Sequence, residues 1–211
     1  MGDNVDVKCV FCDRGNFEER LVHEDENFWT IATLGQITDG GYLLLVPKRH
    51  VSCVGAMETT EVAKLERALA VVRSAVELEY DVAPIIFEHG IVGQTVLHAH
   101  LHILPANIRL EHRIYRDFPD ARINFLASFE ILRWTHAWEG IIPVERKYLL
   151  WVTSEGLIKI VWNPPAPKQY LRTITAELLG RPERGDWKNM DPGLDRRLWS
   201  ETVARMKPYF S

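Results

Sequence analysis

Apolar residues recur along this chain with two periods, and the change from one to the other marks its elements. Phe28-Trp29-Thr30-Ile31-Ala32 is a run of strand-favouring residues, which predicts a short strand. Asp39-Gly40-Gly41 signals a turn, and Tyr42 to Val46 is a continuous apolar run stopped by Pro47, the pattern of a strand covered on both faces. Val62, Leu65, Leu69, Val72 and Val76 then recur at spacings of three and four, with Ala68 and Ala75 on the same side. That spacing predicts a helix, capped by Thr59 or Thr60, with Pro84 beyond its end. Ile85-Ile86-Phe87 predicts a further strand. Strand, hairpin, helix, strand and a last histidine-bearing strand make an α+β meander.

The second half is less periodic. Pro105 to Arg122 is mostly polar and reads as a crossover, and Ile123 to Leu132 reads as a strand. Tyr148 to Val152 and Leu157 to Val161 flank Thr153-Ser154-Glu155-Gly156, a hairpin signal. Asn163-Pro164-Pro165-Ala166-Pro167 is a rigid hinge before a helix over Lys168 to Leu179 that closes at Gly180. A last helix runs from about Leu194 to Met206. Residues 1–8 are polar and read as mobile. The chain shows no internal repeat and no low-complexity segment.

The most informative stretch is His98-Ala99-His100-Leu101-His102, which holds three of the eight histidines. In a strand, side chains alternate faces, so these histidines share one face while Leu97, Ala99, Leu101 and Ile103 take the core side. A half-buried strand with a histidine-rich polar face, or a loose metal-binding tract, are the other readings. Strict alternation with apolar spacers is not how a tract looks. Gly90 and Gly93-Gln94-Thr95-Val96 form a small turn just upstream, where backbone without a Cβ can approach a ligand closely. A neutral imidazole is nucleophilic near pH 7 and can attack a phosphorus, splitting one hard displacement into two easier ones. Neighbouring imidazoles and amides would stabilise the phosphoryl oxygens, and no metal is needed for that chemistry.

Composition sets outer limits. The chain has 211 residues, 46% hydrophobic, with seven tryptophans, enough for one large domain or a domain with an appendage. A net charge of −4 argues against general electrostatic binding to nucleic acid, leaving a local basic patch open. No apolar run is long enough to span a membrane and the start does not resemble a signal peptide. Three cysteines make no disulfide framework, so a reducing, cytoplasmic setting is expected. Cys9 and Cys12 form a Cys-x-x-Cys pair that fits a redox pair, half of a zinc site, or two small buried residues. Cys53 reads as a small core residue or a spare ligand. Glu88 and His89 read as acid/base or binding groups, or as ordinary polar residues of an edge strand.

Gly93-Gln94-Thr95-Val96-Leu97-His98-Ala99-His100-Leu101-His102-Ile103-Leu104 resembles the signature of the histidine-triad (HIT) family of nucleotide hydrolases and transferases. Gly41 to His50 is similar to that family's central strand ending in a Pro-x-x-His turn. The resemblance implies a HIT domain over residues 1–105, an antiparallel sheet meander with a central helix. Residues 106–211 are then a C-terminal α+β extension packed on it. It implies His100 as nucleophile, with His102 and His98 completing the catalytic triad. Gly93, Gln94 and Thr95 would contact the substrate, a dinucleoside polyphosphate, nucleoside phosphoramidate or related conjugate. It further implies structural zinc on Cys9, Cys12, His50 and His98, which as two thiolates and two imidazoles would make a closed tetrahedral site. A homodimer formed through the central helix and a sheet edge is also implied.

Two features set this chain apart. The position that usually carries a ribose-binding Asp or Asn is Leu34, which cannot accept those hydrogen bonds; Gln36 or Asp39 would have to substitute. The extension is loosely similar to CwfJ-type long HIT proteins through Pro167 to Arg172, Ala176 to Gly180 and Asp186-Trp187. That likeness allows an alternative, a nucleotide- or RNA-binding adaptor. Gln169 and Arg172, at an i, i+3 spacing, would share one helix side: either substrate-binding, with Arg172 on a phosphate, or a solvated face. A galactose-1-phosphate uridylyltransferase type of relative would carry Gln where this chain has His102.

Overall fold

The computed structural model describes residues 9–137 and 146–210; the segment 1–8, read as mobile, lies outside the described residues. Strands β1 (Leu21–Glu24), β2 (Phe28–Ala32) and β3 (Leu43–Pro47) lead into helix α1 (Thr59–Tyr80), followed by β4 (Ile85–Glu88) and β5 (Leu101–Leu104). Then come α2 (Glu111–Asp117), β6 (Ile123–Leu126), α3 (Phe129–Ala137), β7 (Tyr148–Val152), β8 (Ile158–Trp162), α4 (Tyr170–Leu178) and α5 (Pro192–Met206). Among the described residues the strands form one eight-stranded sheet in the order β1-β2-β3-β5-β4-β7-β8-β6, antiparallel at every pairing. The architecture is α+β, as expected.

Each face of the sheet buries its own core. Leu43, Leu45, Leu101, Ile103, Ile86, Leu150 and Ile160 pack with Val62, Leu65, Leu69, Val72 and Val76 of α1, the stripe its spacing predicted. Ile85, Phe87, Leu104, Leu149, Trp151 and Val161 pack on the opposite face with Leu171 and Ile174 of α4. The β7–β8 hairpin joins β4 directly, with Phe87 opposite Trp151. It thereby extends the same two cores. Helix α1 starts with a capping box in which Glu58 and Glu61 exchange side-chain-to-backbone bonds. The cap is thus Glu58 rather than Thr59 or Thr60, and such reciprocal satisfaction of orphan amides contributes about 1 kcal/mol. The helix closes at Asp81 in the left-handed region, φ 53°.

Several expectations change. The segment read as a crossover contains α2, whose register rests on one buried pair, Leu110 and Ile114. Ile123 to Leu132 is two elements: β6 ends at Leu126 and α3 begins at Phe129, burying Phe129 and Leu132. Regular strand geometry in the histidine stretch starts only at Leu101, and Leu97 is 57% exposed rather than in the core. Ala99, Leu101 and Ile103 do take the α1 side.

Candidate functional site

Strand β5 runs between β3 and β4, with Leu44 and Phe87 flanking His102 in register. Placed there, His100 and His102 open onto a cleft of about 350 Å³ on the sheet face opposite α1. Their ring centroids are 4.8 Å apart and both rings are buried. Imidazole protonation follows from the partners. His100 Nδ1 lies 2.6 Å from the His98 carbonyl oxygen; a carbonyl only accepts, so Nδ1 carries the hydrogen and Nε2 keeps its lone pair. Burial, with Arg172 nearby, outweighs the help of that carbonyl and pushes His100 down to about 4. The ring is neutral at neutral pH.

His102 is set the opposite way. Tyr42 is fully buried and its hydroxyl accepts from Arg172 Nη1 at 3.1 Å; His102 Nδ1, 2.8 Å away, is the one acceptor within reach of its hydrogen among the described residues. Burial raises Tyr42 to about 12, which keeps that proton in place. His102 Nδ1 therefore accepts, and burial, with His100 and His89 nearby, holds His102 well below the usual imidazole range. Its hydrogen sits on Nε2, a buried donor with no partner. One ring offers a lone pair and its neighbour an N–H.

The second half of the chain supplies part of the cleft wall. Arg172 is 4% exposed, so the solvated-face reading does not hold for it. Its Nη2 donates to the Gly35 carbonyl at 2.9 Å, while Nε is buried without a partner. Gln169 and Trp187 line the same cleft. Gln169 takes a left-handed backbone (φ 61°) and its N–H donates to the Gly93 carbonyl at 2.8 Å. Gly93 is required there: at φ +74° an added Cβ would lie 2.6 Å from the Pro167 carbonyl oxygen. Gln94 donates to the Ser52 carbonyl at 3.1 Å and leaves its own Oε1 buried and unpartnered, and Thr95 sits at the exposed rim. His89 also lines the cleft, its Nε2 accepting from the Leu171 N–H at 3.1 Å. Burial, with His100 and Arg172 nearby, lowers His89 to about 3. Among the described residues no carboxylate lines the cleft, while Arg20 and Arg172 do; it suits an anion.

His98 departs from the expected triad. Its ring turns from the cleft: Nε2 donates to the Pro47 carbonyl at 2.8 Å, and Nδ1 faces Cys9 Sγ at 3.4 Å and Cys12 Sγ at 3.6 Å. Cys12 Sγ lies 3.2 Å from His50 Nδ1. The four ligand atoms all lie within 4.8 Å of one another, a cluster that could hold a metal ion. A tetrahedral ion with the usual zinc–sulfur and zinc–nitrogen bonds sets sulfur and nitrogen about 3.6 Å apart, so the donor set fits. The Pro47 bond fixes the His98 hydrogen on Nε2 and turns its lone pair to the cluster, as an outer-shell acceptor does. Between the cysteines, Phe11 packs against both His98 and His100 at 5.9 and 5.2 Å. The Cys/His cluster and the cleft thus share a wall.

Other candidates fall elsewhere. Gln36 is fully buried and spans Thr33 and Tyr42 through backbone bonds, and Asp39 pairs with Arg181 and Arg184. Neither reaches the cleft, which Leu34 lines instead. The Leu34 loop is pinned by Asp195 of α5, which accepts from the Gly35 and Gln36 N–H groups at 2.9 and 3.1 Å. Glu88 points away from the cleft, accepting from Val54 N–H at 2.8 Å and the Tyr148 hydroxyl at 2.6 Å; burial raises it to about 7. Cys53 is a buried core residue whose thiol burial pushes up to about 12. Tyr42 and Phe11 carried no signal of their own in the sequence, and Trp187 entered only through the likeness of the Asp186-Trp187 pair to long HIT proteins.

A family model described as scavenger mRNA decapping enzyme C-term binding matches residues 8–113, half of the chain. Protein hit of Bacillus subtilis is 31% identical over 103 residues, 46% of this chain and 70% of that protein. The uncharacterized HIT-like protein MG132 of Mycoplasma genitalium is 28% identical over 112 residues, 50% of this chain and 77% of that one. Among solved structures, a Zn-bound histidine triad family protein from Mycobacterium smegmatis is 30% identical, covering 46% of this chain and 74% of that one at a TM-score of 0.40. The chain belongs to the histidine-triad family and has its nucleotide-binding fold. Among the described residues no helix is long and apolar enough to cross a membrane.

Proposed function

We propose that this protein is a nucleotide hydrolase or nucleotidyl transferase that works through a covalent nucleotidyl-histidine. One observation carries the reading: the 2.6 Å contact of His100 Nδ1 with the His98 carbonyl leaves the Nε2 lone pair free beside a cleft lined by Arg20 and Arg172. In the first step Nε2 bonds to the α-phosphorus. The bond from phosphorus to the leaving oxygen or nitrogen breaks, and the leaving group departs with the electron pair and takes a proton from water. Water or another acceptor then attacks the same phosphorus, breaks the phosphorus–nitrogen bond and returns His100 to its neutral form.

The other residues hold the phosphoryl group. His102 donates from Nε2 and Arg172 from Nε to its oxygens, as charge builds on them. Gly93, Gln94, Thr95 and Gln169 shape the pocket around the leaving group and sugar. His98 takes part through its carbonyl, which orients His100, and its ring belongs with Cys9, Cys12 and His50 as a structural zinc site. A metal there has a closed ligand set and supplies cohesion rather than reaction chemistry. Substrates are dinucleoside polyphosphates, nucleoside phosphoramidates or related conjugates, and Leu34 gives the ribose hydroxyls an apolar neighbour.

The test is turnover across a panel of phosphoramidates, dinucleoside polyphosphates and capped nucleotides. Wild type is expected to cleave at least one, and His100→Ala to lose activity by at least about 10³-fold, the scale seen when a nucleophile is removed. Equal turnover by both proteins would remove His100 from the reaction.

A further inference from the structure

The cleft holds an imidazole outside the triad. His89 follows directly on β4, is 3% exposed, and stands with its ring centroid 5.6 Å from that of His102, nearly perpendicular to it. Its Nε2 accepts from Leu171 N–H, in the first turn of α4, at 3.1 Å. A backbone N–H only donates, so Nε2 must be the unprotonated nitrogen and the hydrogen must sit on Nδ1. A charged ring would set two donors face to face, and the positive end of α4 disfavours charge there as well. Nδ1 has no hydrogen-bond partner among the described residues.

Resting on the function proposed above, we propose that His89 is a further substrate-binding residue, a fixed Nδ1–H donor to a phosphoryl oxygen of the nucleotide. The C-terminal half sets its tautomer through Leu171. The same short stretch of chain fixes the other protons of the site. Gln169 N–H holds the Gly93 turn, and Arg172 accounts for the direction of the Tyr42 hydroxyl and hence for the His102 donor. Three N–H groups, on His89, His102 and Arg172, then line the same cleft as the one lone pair of His100. An N–H array of this kind matches the several oxygens of a phosphoryl group under attack.

Two substitutions separate this role from a purely structural one. In His89→Gln the side-chain carbonyl can still accept from Leu171 N–H, and the donor at the Nδ1 position is lost. In His89→Asn the amide nitrogen stands near the Nδ1 position, and the acceptor for Leu171 is lost. Binding of inorganic phosphate and of AMP, GMP, CMP and UMP to the full chain would be measured by titration. Long-range proton–nitrogen NMR of the wild type would follow the His89 ring.

The expected result is an Nδ1–H tautomer in the free protein and a shift of that proton on ligand addition. His89→Gln should weaken nucleotide binding roughly tenfold or more, the scale of a lost charge-assisted hydrogen bond, with His89→Asn within about threefold of wild type. The reverse order, equal losses, no loss in either variant, or an Nε2–H tautomer would overturn the proposal. So would the absence of any His89 shift on ligand addition. His100→Ala keeps His89, so a shift that persists in that variant supports this role even if covalent turnover is never found.

Discussion

Tyr42→Phe isolates the relay that orients His102. The substitution keeps the buried ring, and with it the stacking of the Arg172 guanidinium 5.2 Å away, and deletes one oxygen. That oxygen serves two neighbours, donating to His102 Nδ1 at 2.8 Å and accepting from Arg172 Nη1 at 3.1 Å. Without it Arg172 Nη1 keeps only the Leu34 carbonyl at 3.5 Å, and His102 Nδ1 has no partner. Each buried orphan costs about 1–3 kcal/mol. The two share one network, so their sum is not additive, and the expected loss is about 2–4 kcal/mol in urea unfolding. In turnover, His102 loses the donor that fixes its hydrogen on Nε2. A single donor to a developing oxyanion contributes about 10²–10³ in rate when removed outright; a donor merely released from its fixed tautomer should cost about 10–100-fold in kcat, with a smaller change in KM. Imidazole NMR provides the direct check. A His102 ring that keeps its Nε2–H pattern in Tyr42→Phe, with kcat within about twofold, would refute the relay.

Two further outcomes follow from the buried groups and the cysteine cluster. Glu88 is raised from an ordinary 4.5 to about 7, so the folded state holds its proton over a range where the unfolded chain has lost it. Its stabilising contribution is therefore complete below pH 4.5, falls as pH rises toward 7, and is flat above, a change of about 3 kcal/mol. The buried histidines tilt the whole curve the other way, so the readout is the difference in urea unfolding between wild type and Glu88→Gln, which should fall by most of that amount between pH 5 and pH 8; parallel curves for both proteins would contradict it. Cys12→Ala should abolish an expected stoichiometry of one zinc per chain and lower the melting temperature by roughly 6–12 °C, as about 3 kcal/mol would for a chain of this size. Unchanged metal content in the variant would remove Cys12 from the site.

The parts of the site that could be read along the chain are those made by neighbours in sequence. His100 and His102 declare themselves because period-two alternation needs only a few consecutive residues. Helix α1 does so because six turns repeat one apolar stripe. What could not be read is made by distant contacts. Tyr42 looked like one more apolar residue of a core strand, and its function arises only when Arg172 arrives from 130 positions away. Leu171 reaches His89 across 82 positions. His98 shows the same limit from within the motif: alternation puts it on the histidine face, and only the Pro47 carbonyl and the two cysteines decide that its ring turns to the cysteine cluster. Short elements escaped for a different reason. Helix α2 and strand β1 each bury one or two apolar residues, too few to establish a period.

The most direct test of the central claim is the intact mass of the protein, quenched at short times after mixing with the substrate panel, for wild type and His100→Ala. A transient gain of one nucleotidyl group is expected in the wild type, mapped to His100, and none in the variant. Binding of nucleotide with neither adduct nor turnover in the wild type, or an adduct that survives in His100→Ala, would contradict it.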